Sequence, residues 1–356
     1  MVNTVLRQYL TRLLSRENLT RREAGELLQA MLADDASDAQ IAATLVALAA
    51  KGETVDELAG MAEVLRARAV RVNSCHEAFI DTAGTGSSRA KTFNVSTAAA
   101  FVIAGAGLVV AKHGNRAASS KSGSADVLTA LGVNVSALAK VSEACLNEIG
   151  ICFMFAPLYH GATARVAGIR RELGIHTTFN LLGPLSNPAG APRQIVGVWR
   201  KDLVELLANV LAALGTERAW VVHGEDGLDE ITLAGKTYVA EVQDGTVNTF
   251  EPRVKTFEIR PEDFGLFAGV LDHLRGGDAE KNARIIRDVF SGERRDEARA
   301  LVVANAAAAL FVGGKSQTLK EAAGLAETSL DSGAASRKLE QLIAATNSDS
   351  SAESAQ

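Results

Sequence analysis

Residues 77–224 alternate short apolar runs with helical stretches, and this alternation restricts the possible folds more than any other feature of the chain. The runs EAFI, GLVVAKHG, GICFMFAP, RQIVGVWR and RAWVVHGED have the length of strands. Between the last two lies KDLVELLANVLAALG, whose apolar residues recur at helical spacing. Strand, helix, strand repetition joins parallel neighbours, so the pattern predicts a largely parallel sheet covered by helices. The longest apolar stretch, residues 98–111, is rich in Gly and Ala and suits a tightly packed buried helix and strand. Further on, TYVAEVQDGTVNTFEPRV alternates around an Asp-Gly pair, which predicts a β-hairpin insert. Helices return over residues 281–345, and the polar end, NSDSSAESAQ, reads as a disordered tail over 347–356.

Residues 1–70 lack the alternation and read as helices. Three candidate capping boxes, Thr20-x-x-Glu23, Ser37-x-x-Gln40 and Thr54-x-x-Glu57, mark helix starts. Apolar residues follow at three- and four-residue spacing, as in Ile41, Leu45 and Leu48. The fold class is therefore α/β, with a small all-α N-terminal unit preceding a large α/β unit. A helical unit without chemistry of its own serves as lid, interface or packing layer.

The chain has 356 residues, enough for two domains, and 47% of them are apolar, enough for a sizeable core. A formal net charge of -5 argues against a general nucleic-acid binder, which carries a basic face. Cys75, Cys145 and Cys152 show no C-x-x-C spacing, so a zinc site or redox pair is not expected, and a reducing cytoplasm is. The opening MVNTVLRQYLTRLLSREN interleaves charges with leucines and reads as a helix rather than a signal peptide. No uncharged run reaches membrane-spanning length, so no membrane partner is expected.

Four segments carry chemistry. In DTAGTGSSRAKTFNVST, residues 81–97, glycines follow a strand, and Ser96 and Thr97 open a helix. Glycines let backbone amides face an anion, and a helix start adds hydroxyls and unpaired amides. The spacing matches neither the P-loop nor G-x-G-x-x-G, and alone it reads equally as a tight strand-to-helix turn. In KHGNRAASSKSGSADVL, residues 112–128, Lys112, Arg116 and Lys121 stand among four serines. Such a mixture suits a polyanion bearing sugar hydroxyls, or a solvated basic loop. In HGEDGLDEITL, Asp229 and Glu230 form a carboxylate pair fit to share Mg²⁺ with phosphate oxygens, or simply an exposed acidic turn. In GIRRELGIHTTFNLLGPLSNPAG, residues 168–190, Arg170 and Arg171 stand in a helix, followed by a rigid, partly apolar loop around Pro184 and Pro188. An arginine there can pair with an organic carboxylate, or lie on the surface.

Together these segments resemble the anthranilate phosphoribosyltransferases over nearly the whole chain, in order. That family's G-T-G-G-D-G and T-F-N-I-S-T stand here as GTGSSR and TFNVST; its K-H-G-N-R-x-x-S-S-K-S-G-S-A-D is KHGNRAASSKSGSAD. Its R-R-E-L-G-x-x-T-x-F-N-x-L-G-P-L-x-N-P begins at Arg170, its Asp-Glu metal pair lies in GLDEIT, and LTRREAGELL looks like the opening of its small domain.

The resemblance implies a small helical domain (1–72, with 165–188 packing onto it) hinged to a large α/β domain (73–164 and 189–346) with a mostly parallel central sheet, and a homodimer through the helical domain. It implies transfer of the phosphoribosyl group of phosphoribosyl pyrophosphate to the anthranilate amine, with inversion at C1′ and release of pyrophosphate. This is the second step of tryptophan biosynthesis from chorismate. Carried over by position, Gly84, Ser87, Ser88, Thr92, Asn94, Val95, Ser96, Thr97, the run Lys112, His113, Gly114, Asn115, Arg116, Ala117, Ala118, Ser119 and Ser120, and Ser124 would hold the donor. Gly84, Asn115 and Arg170 would hold anthranilate, with His113 and Pro184 lining the ring pocket. Ser96, Asp229 and Glu230 would bind Mg²⁺. No catalytic acid or base is assigned.

Two departures stand out. Ser87-Ser88-Arg89 replaces the family's G-D-G, which removes an acid near donor and metal. HGAT, residues 160–163, replaces H-P-A-M near the acceptor entrance. Two rivals remain: a nucleoside phosphorylase of the same fold, disfavoured by Arg170 and Asn115, and a nucleic-acid-binding relative, disfavoured by the acidic balance and the Asp229-Glu230 pair.

Overall fold

The computed structural model describes residues 3–86, 92–117, 121–243, 253–270 and 274–348. Four helices open the chain: α1 (Thr4–Leu14), α2 (Arg21–Met31), α3 (Asp38–Lys51) and α4 (Val55–Arg68). The capping boxes at Thr20, Ser37 and Thr54 all form, each satisfying amides that a helix start leaves unpaired. Strand β1 (Phe79–Asp81) then leads to α5 (Val95–Gly105), β2 (Val109–Gly114), α6 (Ser124–Leu131), α7 (Ala139–Ala144) and β3 (Ile151–Phe155). Next come α8 (Ala156–Tyr159), α9 (Ala164–Leu173), α10 (Thr178–Leu185), β4 (Arg193–Gly197), α11 (Leu203–Ala213) and β5 (Arg218–Gly224). Strands β6 (Thr237–Val242) and β7 (Val254–Ile259) precede α12 (Ala279–Ser291), α13 (Glu297–Val312), α14 (Leu319–Asp331) and α15 (Ala334–Ser348).

The seven strands form one sheet in the order β3-β2-β1-β4-β5-β6-β7. The pairs from β3 to β5 are parallel, and β6 and β7 are antiparallel, so the expected hairpin is present and its tip lies outside the described residues. From β1 the chain winds outward to β2 and β3, then returns to β4 on the other side and continues to β5. The carboxyl ends of β1 and β4 therefore flank a topological switch point, where open α/β sheets leave a crevice for ligands.

Side chains alternate across the sheet, as a two-residue period requires. Ile195, Trp220 and Val222 enter a core shared with α5 and α13; Val196, Val221 and Ala240 enter a core shared with the helical unit and α11. That second core also takes Val166 and Ile169 of α9 and Phe179, Leu182 and Leu185 of α10.

Two expectations fail. The segment expected as a loop around Pro184 is helix α10, with Pro184 inside it. Proline removes a donor and crowds the preceding turn, but here it is the next-to-last helical residue. The freed end is satisfied from outside: Gln194 Nε2 donates to the Pro184 carbonyl at 2.9 Å, and Arg66 Nε donates to the Leu185 carbonyl at 2.6 Å. Of the tail expected over 347–356, the first two residues are helical, because α15 runs through Ser348, with Asn347 Nδ2 donating to the Gly132 carbonyl at 3.0 Å; 349–356 lie outside the described residues.

Candidate active site

The crevice at the switch point is assembled from four backbone segments. The first follows β1. Thr85 donates its N–H (2.8 Å) and its hydroxyl (3.1 Å) to the carbonyl of Gly197 at the end of β4. A Cβ at Gly197 would overlap the Asp229 carbonyl oxygen, and one at Gly84 would lie 3.1 Å from Gly197 O. Gly197 thus brings the loop after β1 against the acidic pair after β5, which only a residue without a side chain permits. Asn94 precedes α5, and Ser96 and Thr97 lie in its first turn, where unpaired amides and the helix dipole favour an anion. The Thr97 hydroxyl is buried without a hydrogen-bond partner.

The second segment is the end of β2. Lys112 is 4% exposed, and its Nζ donates to the Thr82 carbonyl (3.0 Å), the Thr82 hydroxyl (3.2 Å) and the Ser96 hydroxyl (3.5 Å). Burial pushes the Lys112 ammonium toward neutrality, and the Asp81 and Glu230 carboxylates oppose it. Asp81 is fully buried at the end of β1. It accepts the His113 N–H at 3.2 Å and the Asn187 amide at 2.7 Å, and burial pushes it up to about 6. His113 presents Nδ1 to the Gly183 carbonyl at 3.3 Å, and its ring meets His160 edge-on at 5.2 Å between centroids. Burial first, then His160 and Lys112, push His113 down to about 3, so both rings are neutral near pH 7.

The third segment is the turn after β2. Asp126 accepts the N–H groups of Ala117 (3.0 Å) and Gly123 (2.9 Å) and one Arg116 nitrogen (2.8 Å). A Cβ at Gly123 would crowd Ala117 N and Asn115 O, so the turn closes on a glycine. Ser124 donates to the Asn115 carbonyl at 3.3 Å. Asn115 and Arg116 are exposed, Asn115 accepts the Arg116 N–H at 2.7 Å, and Gly114 ends β2. Thr92 pairs with Arg275, and Asn94 accepts the Asn282 amide at 2.9 Å, so the segment before α5 is held from the α12 side as well. Ser87, Ser88 and Arg89, and Ala118, Ser119 and Ser120, lie outside the described residues.

The fourth segment holds the acidic pair. Glu230 accepts the Ser96 N–H at 3.2 Å. Part of the residue reaches the surface, yet its carboxyl is deep: burial, then the Asp229 carboxylate, push it up to about 8 against the pull of Lys112. Asn305 of α13 fixes this loop by accepting the Ile231 N–H at 2.9 Å and donating to the Ile231 carbonyl at 3.0 Å. Two carboxylates and the Ser96 hydroxyl form a hard, all-oxygen donor set, which suits Mg²⁺. Glu230's reluctance to ionise and the orphaned Thr97 hydroxyl both mark a place where a cation with phosphate oxygens would relieve the site. Among the described residues no cluster of three or more His, Cys, Asp or Glu could hold a metal, so the cation would complete its shell with ligand oxygens and water.

Across the crevice stands Arg170, in the last turn of α9. Its Nη2 donates to Asn180 Oδ1 at 3.1 Å, its guanidinium lies 5.5 Å from the centroid of the Phe179 ring, and its Nε is buried without a partner. Among the described residues no carboxylate pairs with it, and burial alone lowers its pKa. Asn180 and Gly183 lie three residues apart on α10, hence about 4.5 Å along its axis on one face. That face receives Arg170 at one end and His113 at the other.

Sequence reasoning missed Asp81, Asn187, Gly197, Asn282 and Asn305. Asp81 and Asn187 stand inside quoted segments, DTAGTG and PLSNP, but received no role there; Gly197, Asn282 and Asn305 stand outside every motif.

Comparisons with known proteins agree with this architecture. Residues 7–69 match the helical bundle domain of the glycosyl transferase family, and residues 76–336 match its a/b domain. The anthranilate phosphoribosyltransferase of Anaeromyxobacter dehalogenans is 53% identical over 342 residues, covering 96% of this chain and 99% of that protein. The crystal structure of anthranilate phosphoribosyltransferase from Thermus thermophilus superposes with a TM-score of 0.88 at 39% identity, over 95% of this chain and 99% of that one. The Saccharomyces cerevisiae enzyme in complex with PRPP and Mg superposes with a TM-score of 0.86 at 29% identity, over 97% and 98% of the two chains. With relatives this similar over nearly its full length, the chain belongs to the anthranilate phosphoribosyltransferase family.

Proposed function

We infer that this chain transfers the phosphoribosyl group of phosphoribosyl pyrophosphate (PRPP) to the amino group of anthranilate, releasing pyrophosphate, in tryptophan biosynthesis. The observation that carries this reading is Arg170: a guanidinium set into the crevice over Phe179, with a buried Nε and no acid paired to it among the described residues. Leaving a cation so placed is costly unless a ligand brings the matching anion, and a benzoate carboxylate fits the fork. The donor side is assigned to Gly84, Ser87, Ser88, Thr92, Asn94, Val95, Ser96, Thr97, residues 112–120 and Ser124, and the acceptor side to Gly84, Asn115 and Arg170. Asn115 takes the acceptor role through its exposed place at the end of β2.

In the reaction the C1′–oxygen bond to pyrophosphate breaks and a C1′–nitrogen bond forms. The aromatic amine is neutral at working pH, so its lone pair is available without a strong base. His113, held near 3, is too weak to take the proton that the amine loses, no side chain is assigned that task, and the proton passes to solvent water. Lys112 and the amides at the start of α5 face the phosphate side and stabilise departing negative charge electrostatically. Asp229, Glu230 and Ser96 would hold Mg²⁺, which would supply Lewis-acid neutralisation of the phosphate charge. Arg170 orients the acceptor through its carboxylate, turning a two-body encounter into a positioned one.

The small-domain assignment of 1–72 with 165–188 rests on the core that α9 and α10 share with α1 to α4. The homodimer rests on the family likeness and is tested by sedimentation. A cytoplasmic location rests on the three free cysteines; no described helix is long and apolar enough to cross a membrane. The functional test is anthranilate fluorescence in the presence of PRPP and Mg²⁺. Its decay supports the reading, and a folded protein that leaves anthranilate unconsumed refutes it.

A further inference from the structure

The third residue of α10 is Asn180, and its side chain does two things at once. Oδ1 accepts the Thr177 N–H at 3.1 Å, closing the helix start, and accepts from Arg170 Nη2, also at 3.1 Å. The Asn180 N–H in turn donates to the Thr177 carbonyl at 2.8 Å. Considered for the fold alone, this position calls for an acid. A carboxylate can accept both hydrogen bonds, a helix N-terminus favours negative charge, and an ion pair with Arg170 would form at the same distance. The chain uses Glu at this position in the capping boxes of α2 and α4, where Glu23 and Glu57 stand, and the neutral Gln40 in that of α3. At α10, next to the Arg170 guanidinium, with which no carboxylate pairs among the described residues, it has a neutral amide.

We propose that Asn180 is the positioning residue of the acceptor site: its amide oxygen fixes the Arg170 fork, and its neutrality leaves that charge for the carboxylate of the acceptor. The inference rests on the acceptor reading of Arg170 given above. A carboxylate at 180 would hold Arg170 equally well but would neutralise it and repel an anionic ligand. The selectivity of this site for anionic aromatic amines over uncharged ones is thereby set by an amide that does not itself have to touch the substrate.

Asn180→Asp is the decisive variant because it retains every hydrogen bond of the native side chain. The expected result is a KM for anthranilate raised about ten-fold or more, as for loss of a charge-assisted pair, with the KM for PRPP within about two-fold of wild type. The melting temperature stays equal or rises. The preference for anthranilate over its uncharged analogue 2-aminobenzamide narrows. Asn180→Ala, which loses the orienting oxygen but adds no charge, raises the anthranilate KM less and narrows that preference less. An unchanged anthranilate KM in Asn180→Asp, or equal changes for donor and acceptor, overturns the proposal. A lowered melting temperature overturns it too, since the amide would then serve the fold. If wild type itself leaves anthranilate unconsumed, the functional reading fails, which the same experiment distinguishes.

Discussion

Arg170→Ala separates the two halves of the site. In the folded chain this side chain makes one hydrogen bond, to Asn180, and stacks on Phe179, while its Nε is buried with no partner. Removing it deletes those contacts and also deletes the desolvation cost of an unpaired cation. The two effects oppose, so the net change in stability is within about 1 kcal/mol, or about 1–2 °C in melting temperature for a chain of this size. For the acceptor the balance differs. Truncating one partner of a buried charge pair costs about 2–5 kcal/mol. Arg170 is half-buried, which places the loss at the lower end, about 2–3 kcal/mol, or roughly 30- to 150-fold in kcat/KM for anthranilate. The residues proposed to hold the donor lie mainly on α5 and at the end of β2, and the contacts of Arg170 are with Asn180 and Phe179, so the KM for PRPP is expected to stay within about two-fold. Steady-state fluorescence with each substrate varied in turn measures both constants. Equal losses for donor and acceptor, or a melting temperature that falls by about 5 °C or more by the scale above, would refute the reasoning.

Three further outcomes are expected, two from the geometry and one from the sequence pattern. Gly197→Ala forces a Cβ onto the Asp229 carbonyl, so kcat falls about 100-fold, as for a displacement near 1 Å, while calorimetry shows weakened PRPP binding in the presence of Mg²⁺; unaltered binding contradicts the role given to Gly197. Ser87→Gly combined with Ser88→Asp restores the acid of the family pattern and moves the Mg²⁺ titration to lower concentration without changing acceptor choice; an unmoved titration contradicts it. His113 has a folded pKa near 3 against about 6.5 unfolded, so as pH falls below 6.5 the unfolded chain takes up a proton that the native state refuses. Stability from this residue is therefore lost on acidification, by about 2 kcal/mol at pH 5, and urea melts of His113→Asn show a smaller loss between pH 7.5 and 5 than wild type; equal losses would contradict it.

Much of this molecule is legible from its residues because the signals are local. The strands around Val110, Met154, Val196 and Val221 are short apolar runs, and the capping boxes at Thr20, Ser37 and Thr54 each form within four residues. The helix α10 was misread because proline and glycine dominate local propensity. What sustains it is remote: Arg66 comes from α4 and Gln194 from β4. The same limit hides Asn305, which fixes Ile231 from 74 positions away, and Asn187, which meets Asp81 across 106. A single asparagine has no periodicity and no partner in sequence; its meaning is created by the sheet order. The site motifs were readable as chemistry, but the neighbourhood of Lys112, Ser96 and Glu230 exists only because β1, β2 and β5 end on the same side of the sheet.

The most direct test of the account is stoichiometric. Purified protein is incubated with anthranilate, PRPP and Mg²⁺, and anthranilate loss, pyrophosphate release and product mass are followed together. The account predicts one pyrophosphate released per anthranilate consumed, a product heavier by the phosphoribosyl group, and arrest of all three when the metal is chelated. Pyrophosphate release without anthranilate consumption, or cleavage of a nucleoside by phosphate in place of this transfer, would contradict it.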